Sequence, residues 1–234
     1  MATIGELREG PLHRALKDWL ARPGDRAEVP VEGFVIDLVR ADGELLEIQT
    51  GGFAPLRAKL DALLDRHRMR IVHPVPARRR VVRLDAGGEV LSQRASPKRA
   101  TAAAIFEVLV SFPTLLSHPH LTVEVLLCAE DHVRAPAPVR GRRFTRDPGQ
   151  RRLVEVLERV ELTCALDLAR LVALPGGEFT TRELAAAMGA PLPLAQRAAH
   201  CLRALAVLEP AGRRGRAPLH RVVRRGGLGE RLAG

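Results

Sequence analysis

The chain has 234 residues, enough to bury the core of one large domain or two small ones, and its 46% hydrophobic content is ordinary for a globular protein. No apolar stretch approaches the 18 or more residues of a membrane-spanning helix, which excludes a helical membrane protein. The formal net charge of +10 favours a polyanionic partner, with nucleic acid ahead of an anionic membrane. Arginine supplies most of this charge, because lysine occurs only at positions 17, 59 and 98.

The cysteines and the N-terminus bear on the cellular compartment. Cys128, Cys164 and Cys201 are widely spaced and form no C-x-x-C pair, which predicts neither a disulfide framework nor a zinc site. The first residues lack the charged and apolar regions of a secretory signal peptide. Together these features predict a cytoplasmic protein.

The first predicted element is an amphipathic helix over residues 10–21. Pro11 suits its first turn, where the missing N–H costs nothing. His13 and Lys17 lie four residues apart on one face, where they would contact phosphate or simply remain solvated. The apolar stripe consists of Leu12, Leu16, Trp19 and Leu20.

Residues 31–50 have the pattern of a β-hairpin, because two β-rich runs flank an Asp-Gly turn. If the turn is centred on Asp42, antiparallel partners have numbers that sum to 84. Asp37 then lies opposite Glu47, and Gln49 shares their face of the hairpin. The other face is predicted to be core and carries Phe34, Ile36, Leu38, Leu46 and Ile48.

The opposed acids Asp37 and Glu47 are the main chemical signal in the hairpin. Directly opposed carboxylates repel each other by roughly 0.2–1 kcal/mol even in water. Val35, Val39 and Leu45 on the same face indicate poor solvation. Poorly solvated paired acids either share a proton or bind a cation, and hard oxygen ligands suit Mg²⁺ or Mn²⁺. The alternative is a polar edge hairpin with both acids in water.

Helices and strands follow the hairpin. A helix over residues 54–67 has a leucine stripe, and Lys59 adjoins that stripe. Two basic clusters, residues 78–80 and 94–99, would follow a phosphate backbone or remain solvated. The other predicted elements are strands over 69–76, 78–85, 90–93 and 121–128, a helix over 100–112, a Pro- and Arg-rich linker over 134–150, and a helical segment over 151–174.

The hairpin also carries a family resemblance. Asp37, then nine residues, then Glu47-Ile48-Gln49 resembles the Asp…Glu-x-Lys signature of the PD-(D/E)xK, or restriction-endonuclease-like, nuclease superfamily. The order of predicted elements over residues 4–85 is similar to the αβββαβ core of that superfamily. The resemblance implies an α/β (α+β) fold with a nuclease domain at residues 1–134 and its core at 4–95.

The resemblance also implies roles for individual residues. Asp37, Glu47 and the Ile48 carbonyl would hold Mg²⁺ or Mn²⁺. Gln49 stands where the superfamily usually has Lys, and glutamine can orient water or phosphate but supplies no charge. Some members recruit a lysine from the following helix, which is where Lys59 lies in this sequence.

Other acids are weaker candidates for the same site. Members of the superfamily often place a Glu on the first helix as a further metal or water ligand, for which Glu9 is the candidate and Glu6 the reserve. The alternative reading of Glu9 is an acid favoured by the positive end of the helix dipole. Glu28 and Glu32 flank the entry to the hairpin and are possible extra ligands.

Residues 176–225 are similar to a winged helix-turn-helix, which implies a C-terminal domain at 176–234 joined to the first by a linker and connecting helices at 135–175. Thr180 and Glu183 predict a capping box at the first helix. Many winged helices bind proteins, so protein binding is an alternative to DNA binding. The DNA contacts implied by the resemblance are Arg197 and Arg203 on the second helix and Arg213, Arg214 and Arg216 in the wing.

These features together predict a Mg²⁺- or Mn²⁺-dependent DNA endonuclease with DNA as its partner, no membrane partner, and, because related nucleases often cut as dimers, a possible homodimer. One alternative is a non-catalytic DNA-binding or regulatory protein with a degenerate nuclease fold, which Gln49 in place of Lys favours. Another is an assembly protein whose winged helix binds another protein.

Overall fold

The structure is a computed structural model that describes residues 10–97, 99–135 and 149–223. Within these ranges the chain forms a seven-stranded mixed sheet, a smaller three-stranded sheet and six α-helices. The predicted α/β (α+β) class is confirmed. Glu6, Glu9 and most of the predicted linker over 134–150 lie outside the described residues.

The first part consists of a helix, three strands, a helix and a strand, and the first of these strands, ahead of the hairpin, was not among the predicted elements. They are α1 (Pro11–Leu20), β1 (Arg26–Val31), β2 (Phe34–Val39), β3 (Leu45–Ile48), α2 (Arg57–Leu63, after a 3-10 turn at Ala54–Leu56) and β4 (Met69–Leu84). The rest of the main sheet and its helices are β5 (Val90–Ala95), α3 (Phe106–Leu109, after a 3-10 turn at Ala102–Ile105), β6 (Leu121–Arg134), β7 (Gln150–Leu162) and α4 (Ala165–Arg170).

The main sheet has the strand order β1-β2-β3-β4-β6-β7. β4 is parallel to both β3 and β6, and the other pairs are antiparallel. β3 pairs with the start of β4, and β5 pairs with its end. β4 is therefore one long strand, with a register shift between Pro76 and Arg78, and not the two strands predicted.

Both faces of the main sheet are covered near β3. On one face α1 buries its leucines against Leu46, Ile48 and Val72, and on the other face the larger core includes α2 and α3. Trp19 departs from the predicted α1 stripe: it is 44% exposed, and the guanidinium of Arg159 lies 5.4 Å from its ring centroid. The five residues predicted to form one core face of the hairpin are divided between the two sides of the sheet. Leu38, Leu46 and Ile48 are buried on the α1 side, whereas Ile36 is buried in the larger core and the partly buried Phe34 packs against that core.

The prediction of helical structure over 151–174 was wrong for most of that range. Residues 150–162 form β7, and only α4 is helical. The apolar residues of β7 also fit a helical repeat, but this segment covers the free edge of β6. Ion pairs of Arg151 with Glu130 and of Arg159 with Glu124 join the two strands. The range predicted as linker and connecting helices, 135–175, thus contains a strand of the main sheet.

The C-terminal part contains two helices and a three-stranded sheet. Its elements are β8 (Glu178–Thr180), α5 (Thr181–Ala187), α6 (Leu192–Ala204), β9 (Leu208–Arg214) and β10 (Ala217–Val222), with the strand order β8-β10-β9. The predicted capping box is present, because Thr180 and Glu183 exchange hydrogen bonds at the start of α5. α6 packs against α3 and α4, so its buried side chains continue the larger core.

Two further expectations concern the described residues as a whole. Cys128, Cys164 and Cys201 are all free thiols, as their spacing predicted. None of the helices in residues 10–97, 99–135 and 149–223 has the length and apolar character required to cross a bilayer.

Candidate active site

The hairpin places the two predicted acids side by side where β2 and β3 separate. The turn is closed by Arg40 and Glu44, and Gly43 adopts the positive φ of 86° that glycine tolerates best. β2 and β3 pair at Leu38↔Leu46 and Val39↔Leu45, which confirms the predicted register. The next position in that register sets Asp37 across from Glu47.

The side chain of Asp37 connects β2 to β3 at the point where the two strands separate. Its Oδ2 accepts a hydrogen bond of 2.7 Å from the main-chain N–H of Ile48. The Nε2 atom of His13, on α1, lies 3.2 Å from the same oxygen. The carboxylate is therefore fixed by one contact from β3 and one from α1.

Glu47 is nearly enclosed, with 5% of its surface exposed. The ammonium group of Lys59, on α2, lies 2.6 Å from its Oε1 and donates a second hydrogen bond of 2.8 Å to the carbonyl of Val35. The helix after the hairpin thus brings Lys59 to the acid pair.

The pKa of Glu47 is raised by its surroundings in the site. Burial and the neighbouring charge of Asp37 raise it from 4.5 to about 7, and the opposing effect of Lys59 is smaller. Near neutral pH the carboxyl is therefore balanced between its protonated and charged forms. A cation beside both carboxylates would favour the charged form.

Gln49 does not face the acid pair through its amide. Its side-chain Nε2 donates a hydrogen bond of 2.6 Å to the carbonyl of Gly52, which holds the loop after β3. The main-chain carbonyl of Gln49 accepts a hydrogen bond of 2.6 Å from Nδ1 of His73. Burial lowers the pKa of His73 to about 4, so at neutral pH the ring is uncharged and Nδ1 carries the donated proton.

Two residues that support this loop were not found from the sequence. His73 lies within an apolar strand and Arg151 in a segment predicted to be helical. Arg151 donates a hydrogen bond of 2.9 Å to the carbonyl of Thr50 and is itself held by Glu130. No sequence motif indicates the role of either residue, because His73 contacts Gln49 and Arg151 contacts Thr50 across segments that are far apart in the chain.

The acid pair opens into a cleft of about 330 Å³. On its rim Glu28, whose φ is +53°, forms an ion pair with Lys17. Glu32, the other extra acid considered, instead pairs with Arg66 and His67 and does not line the cleft. The lining residues are Gly10, His13, Glu28, Val35, Asp37, Glu47, Ile48, Gln49, Thr50 and Gly51.

The donor set of the cleft bears on metal binding. Among the residues that the structure describes, no three His, Cys, Asp or Glu side chains come together as a metal cluster. Asp37 and Glu47 offer hard oxygen ligands, and Mg²⁺ typically binds through one or two carboxylates while it keeps several waters. The two acids therefore fit a Mg²⁺-type ion better than a fully protein-coordinated metal.

The predicted DNA-binding arginines lie on the surface of the C-terminal part. Arg197 and Arg203 are exposed on α6. Of the three in the β9–β10 hairpin, Arg214 forms an ion pair of 2.7 Å with Glu183, and Arg213 donates a hydrogen bond to the carbonyl of Arg216. The α6 arginines thus have the more open positions.

Comparison with known proteins places this site in a family. Residues 10–163 match the family model described as "Domain of unknown function (DUF8091)". The chain belongs to this family. The matched region of the DUF8091 family begins at α1 and ends just after β7, so it contains the acid pair, Lys59, His73 and Arg151.

Another protein is similar to this chain over most of the length of both chains. It is an "Uncharacterized protein" of Treponema pallidum (strain Nichols), 31% identical over 227 residues that cover 94% of this chain and 87% of the relative. The similarity therefore extends beyond the DUF8091 region into the C-terminal part. No solved structure matched the chain.

Proposed function

We propose that this protein is a metal-dependent DNA endonuclease that hydrolyses phosphodiester bonds. The observation that carries the proposal is the placement of Asp37 and Glu47 together in one open cleft, with Lys59 bound to Glu47. These residues come from β2, β3 and the following helix, α2.

The resemblance to the PD-(D/E)xK superfamily supports the same function. The order α1-β1-β2-β3-α2-β4 agrees with the αβββαβ core that the resemblance implies. Lys59 would replace the lysine that is absent at Gln49, because its ammonium group reaches Glu47 from α2. We propose that residues 10–163 form the nuclease domain of this chain.

The cleft residues have distinct roles in the proposed reaction. Asp37 and Glu47 would hold Mg²⁺ or Mn²⁺, with the Ile48 carbonyl and water as further ligands. When bound, the metal would lower the pKa of a water molecule and stabilise negative charge on the phosphate. Lys59 keeps Glu47 oriented and supplies positive charge beside the phosphate. The Gln49 amide would hold the cleft loop through Gly52 and would not orient the attacking water.

DNA is the proposed substrate because the element order of the C-terminal part is similar to that of a winged helix. α4, β8, α5, α6 and the β9–β10 hairpin follow one another as helix, strand, two helices and wing. Arg197 and Arg203 on the exposed side of α6 would enter the major groove, and the wing arginines would contact phosphate or the minor groove. The net charge of +10 supports a polyanionic partner.

A non-catalytic DNA-binding protein is the second candidate. The engagement of the Gln49 amide with Gly52 and the limited set of acids in the described cleft favour it. The two candidates differ in whether DNA is cut when a divalent metal is present.

The test is cleavage of labelled duplex, single-stranded and branched DNA with Mg²⁺ or Mn²⁺ by the full-length protein. Asp37→Asn and Glu47→Gln are the active-site variants, and Glu155→Gln, an exposed acid on β7, is the matched control. We expect the wild type and the control to cut and both active-site variants to be inactive while they still bind DNA. DNA binding by the wild type without cleavage of any substrate would reject catalysis and favour the second candidate.

A further inference from the structure

Beyond the cleft, strands β5, β4, β6 and β7 continue as a sheet that carries arginines on one face. The residues of β6 alternate, so Glu130 and Arg134 lie on the α1 side of the sheet with Leu126 and Cys128. The β4 partners of Glu130 and Arg134 are Arg79 and Arg83, which therefore share that side. Arg94 on β5 is paired with Val81 of β4, so it lies on the same side of the sheet as Arg79 and Arg83. We call Arg79, Arg83, Arg94 and Arg134 the arginine face.

The charges of the arginine face are poorly balanced by their surroundings. Arg83 and Arg134 are direct neighbours on adjacent strands, and like charges in such positions destabilise a sheet. The Nε atoms of Arg79 and Arg134 are buried and have no hydrogen-bond partner within the described part of the chain. The acid that the register places on this face, Glu130, is already bound by Arg151 through two hydrogen bonds of 2.8 Å.

The arginine face adjoins the cleft. Arg151 is paired with His132, which is in turn paired with Val81, in the middle of the arginine face. Neighbouring strands lie about 4.8 Å apart, so Arg151 and Val81 are separated by roughly 10 Å. The side chain of Arg151 also contacts the carbonyl of Thr50, a lining residue of the cleft.

We propose that the arginine face binds the phosphate backbone of duplex DNA beside the cleft. This inference rests on the proposed function, because it assigns a docking surface to the DNA that the cleft would cut. One guanidinium group can bind two phosphate oxygens at once, so arginine suits phosphate binding better than lysine does. Arg79 and Arg83 are four residues apart, roughly 13 Å along the strand, which corresponds to the rise of about four base pairs along the DNA helix axis.

The test measures DNA binding by the full-length protein in a metal-free buffer with chelator, so that it does not depend on cleavage. Arg83→Gln/Arg94→Gln removes two exposed charges from the arginine face. Arg66→Gln/Arg152→Gln is the matched control, because both arginines are exposed and neither lies on the arginine face or in a predicted basic cluster. The affinity for a short labelled duplex is measured as a function of salt concentration.

We expect the arginine-face variant to bind duplex DNA at least tenfold more weakly at low salt, with a salt dependence reduced by about 1–2 in slope. The control should stay within about threefold of the wild type, because it removes the same charge without removing phosphate contacts. Unchanged binding by the arginine-face variant, or equal weakening of both variants, would overturn the inference.

The same variants separate this inference from the proposed function. If the wild type cuts DNA while the arginine-face variant binds normally, the docking surface is wrong and the nuclease proposal stands. If no metal supports cleavage but the arginine-face variant binds DNA poorly, the docking surface is supported and the nuclease proposal fails.

Discussion

Lys59 on α2 donates a hydrogen bond of 2.6 Å to Oε1 of Glu47 on β3. The contact joins the helix after the hairpin to the acid pair and positions a cation beside Glu47. Burial and the neighbouring charge of Asp37 raise the pKa of Glu47, and Lys59 opposes that effect. The proposed chemistry depends on this balance of one cation and two acids.

Loss of the Lys59 ammonium group is expected to reduce cleavage strongly. In Lys59→Ala the cleavage rate should fall by roughly 10²–10³-fold, because positive charge beside the phosphate is lost and the pKa of Glu47 rises further. Single-turnover cleavage measures this effect. Arg57→Ala, which removes an exposed cation from the same helix, should cut normally, and equal losses in both variants would contradict a specific role for Lys59.

The raised pKa of Glu47 predicts how stability depends on pH without metal. The folded state holds this proton up to a pKa of about 7, whereas the unfolded chain releases it near 4.5. Folding stability should therefore be unaffected by Glu47 below about pH 4.5, decline as pH rises between these values, and be lower by about 3 kcal/mol above pH 7.

The variant Glu47→Gln isolates the contribution of Glu47 to the pH dependence of folding stability. His73 acts in the opposite direction, since its pKa is lowered from 6.5 to about 4 and its contribution to stability increases over that interval. The difference between wild type and Glu47→Gln in urea unfolding cancels the effect of His73. It should favour the variant increasingly from pH 5 to about 7 and level off above that, and a pH-independent difference would contradict the raised pKa.

The capping box at α5 predicts a local loss of stability. Thr180→Ala should destabilise the C-terminal part by about 1 kcal/mol, because the N–H of Glu183 loses its hydroxyl acceptor. Thermal unfolding followed by circular dichroism measures the change. Thr180→Ser retains the hydroxyl and should remain close to wild type, so equal losses in the two variants would argue against capping.

The burial of α1 predicts unequal costs for two of its apolar residues. Leu16 is fully buried, and Leu16→Ala should cost about 2–5 kcal/mol of unfolding free energy. Trp19 is 44% exposed, and Trp19→Ala should cost clearly less. Urea unfolding monitored by circular dichroism compares them, and a larger loss at Trp19 would contradict this packing of α1.

The sequence was most informative where the structure depends on local rules. The Asp42-Gly43 turn and the alternation of side chains predicted the register that places Asp37 beside Glu47. The capping box followed from the spacing of Thr180 and Glu183. Lys59 was a candidate through the family resemblance and because lysine is rare in this chain, whereas nothing in its own segment indicates a contact with Glu47.

Features that depend on distant segments were not predictable in the same way. β7 has apolar residues that also fit a helix, and its pairing with β6 decides its structure. His73 and Arg151 support the loop around Gln49 and Thr50 from other strands of the sheet. Such contacts leave no periodic pattern, because they arise only when the sheet assembles.

The claim at the centre of this account is that Asp37 and Glu47 form one site for a divalent cation. Its most direct test is calorimetric titration of Mn²⁺ into the wild type, Asp37→Asn, Glu47→Gln and the Glu155→Gln control, which requires no knowledge of the DNA substrate. We expect one site in the wild type and the control, release of a proton on binding near pH 7, and loss of the site in both active-site variants. Equal Mn²⁺ binding by all four proteins, or none by the wild type, would contradict the claim.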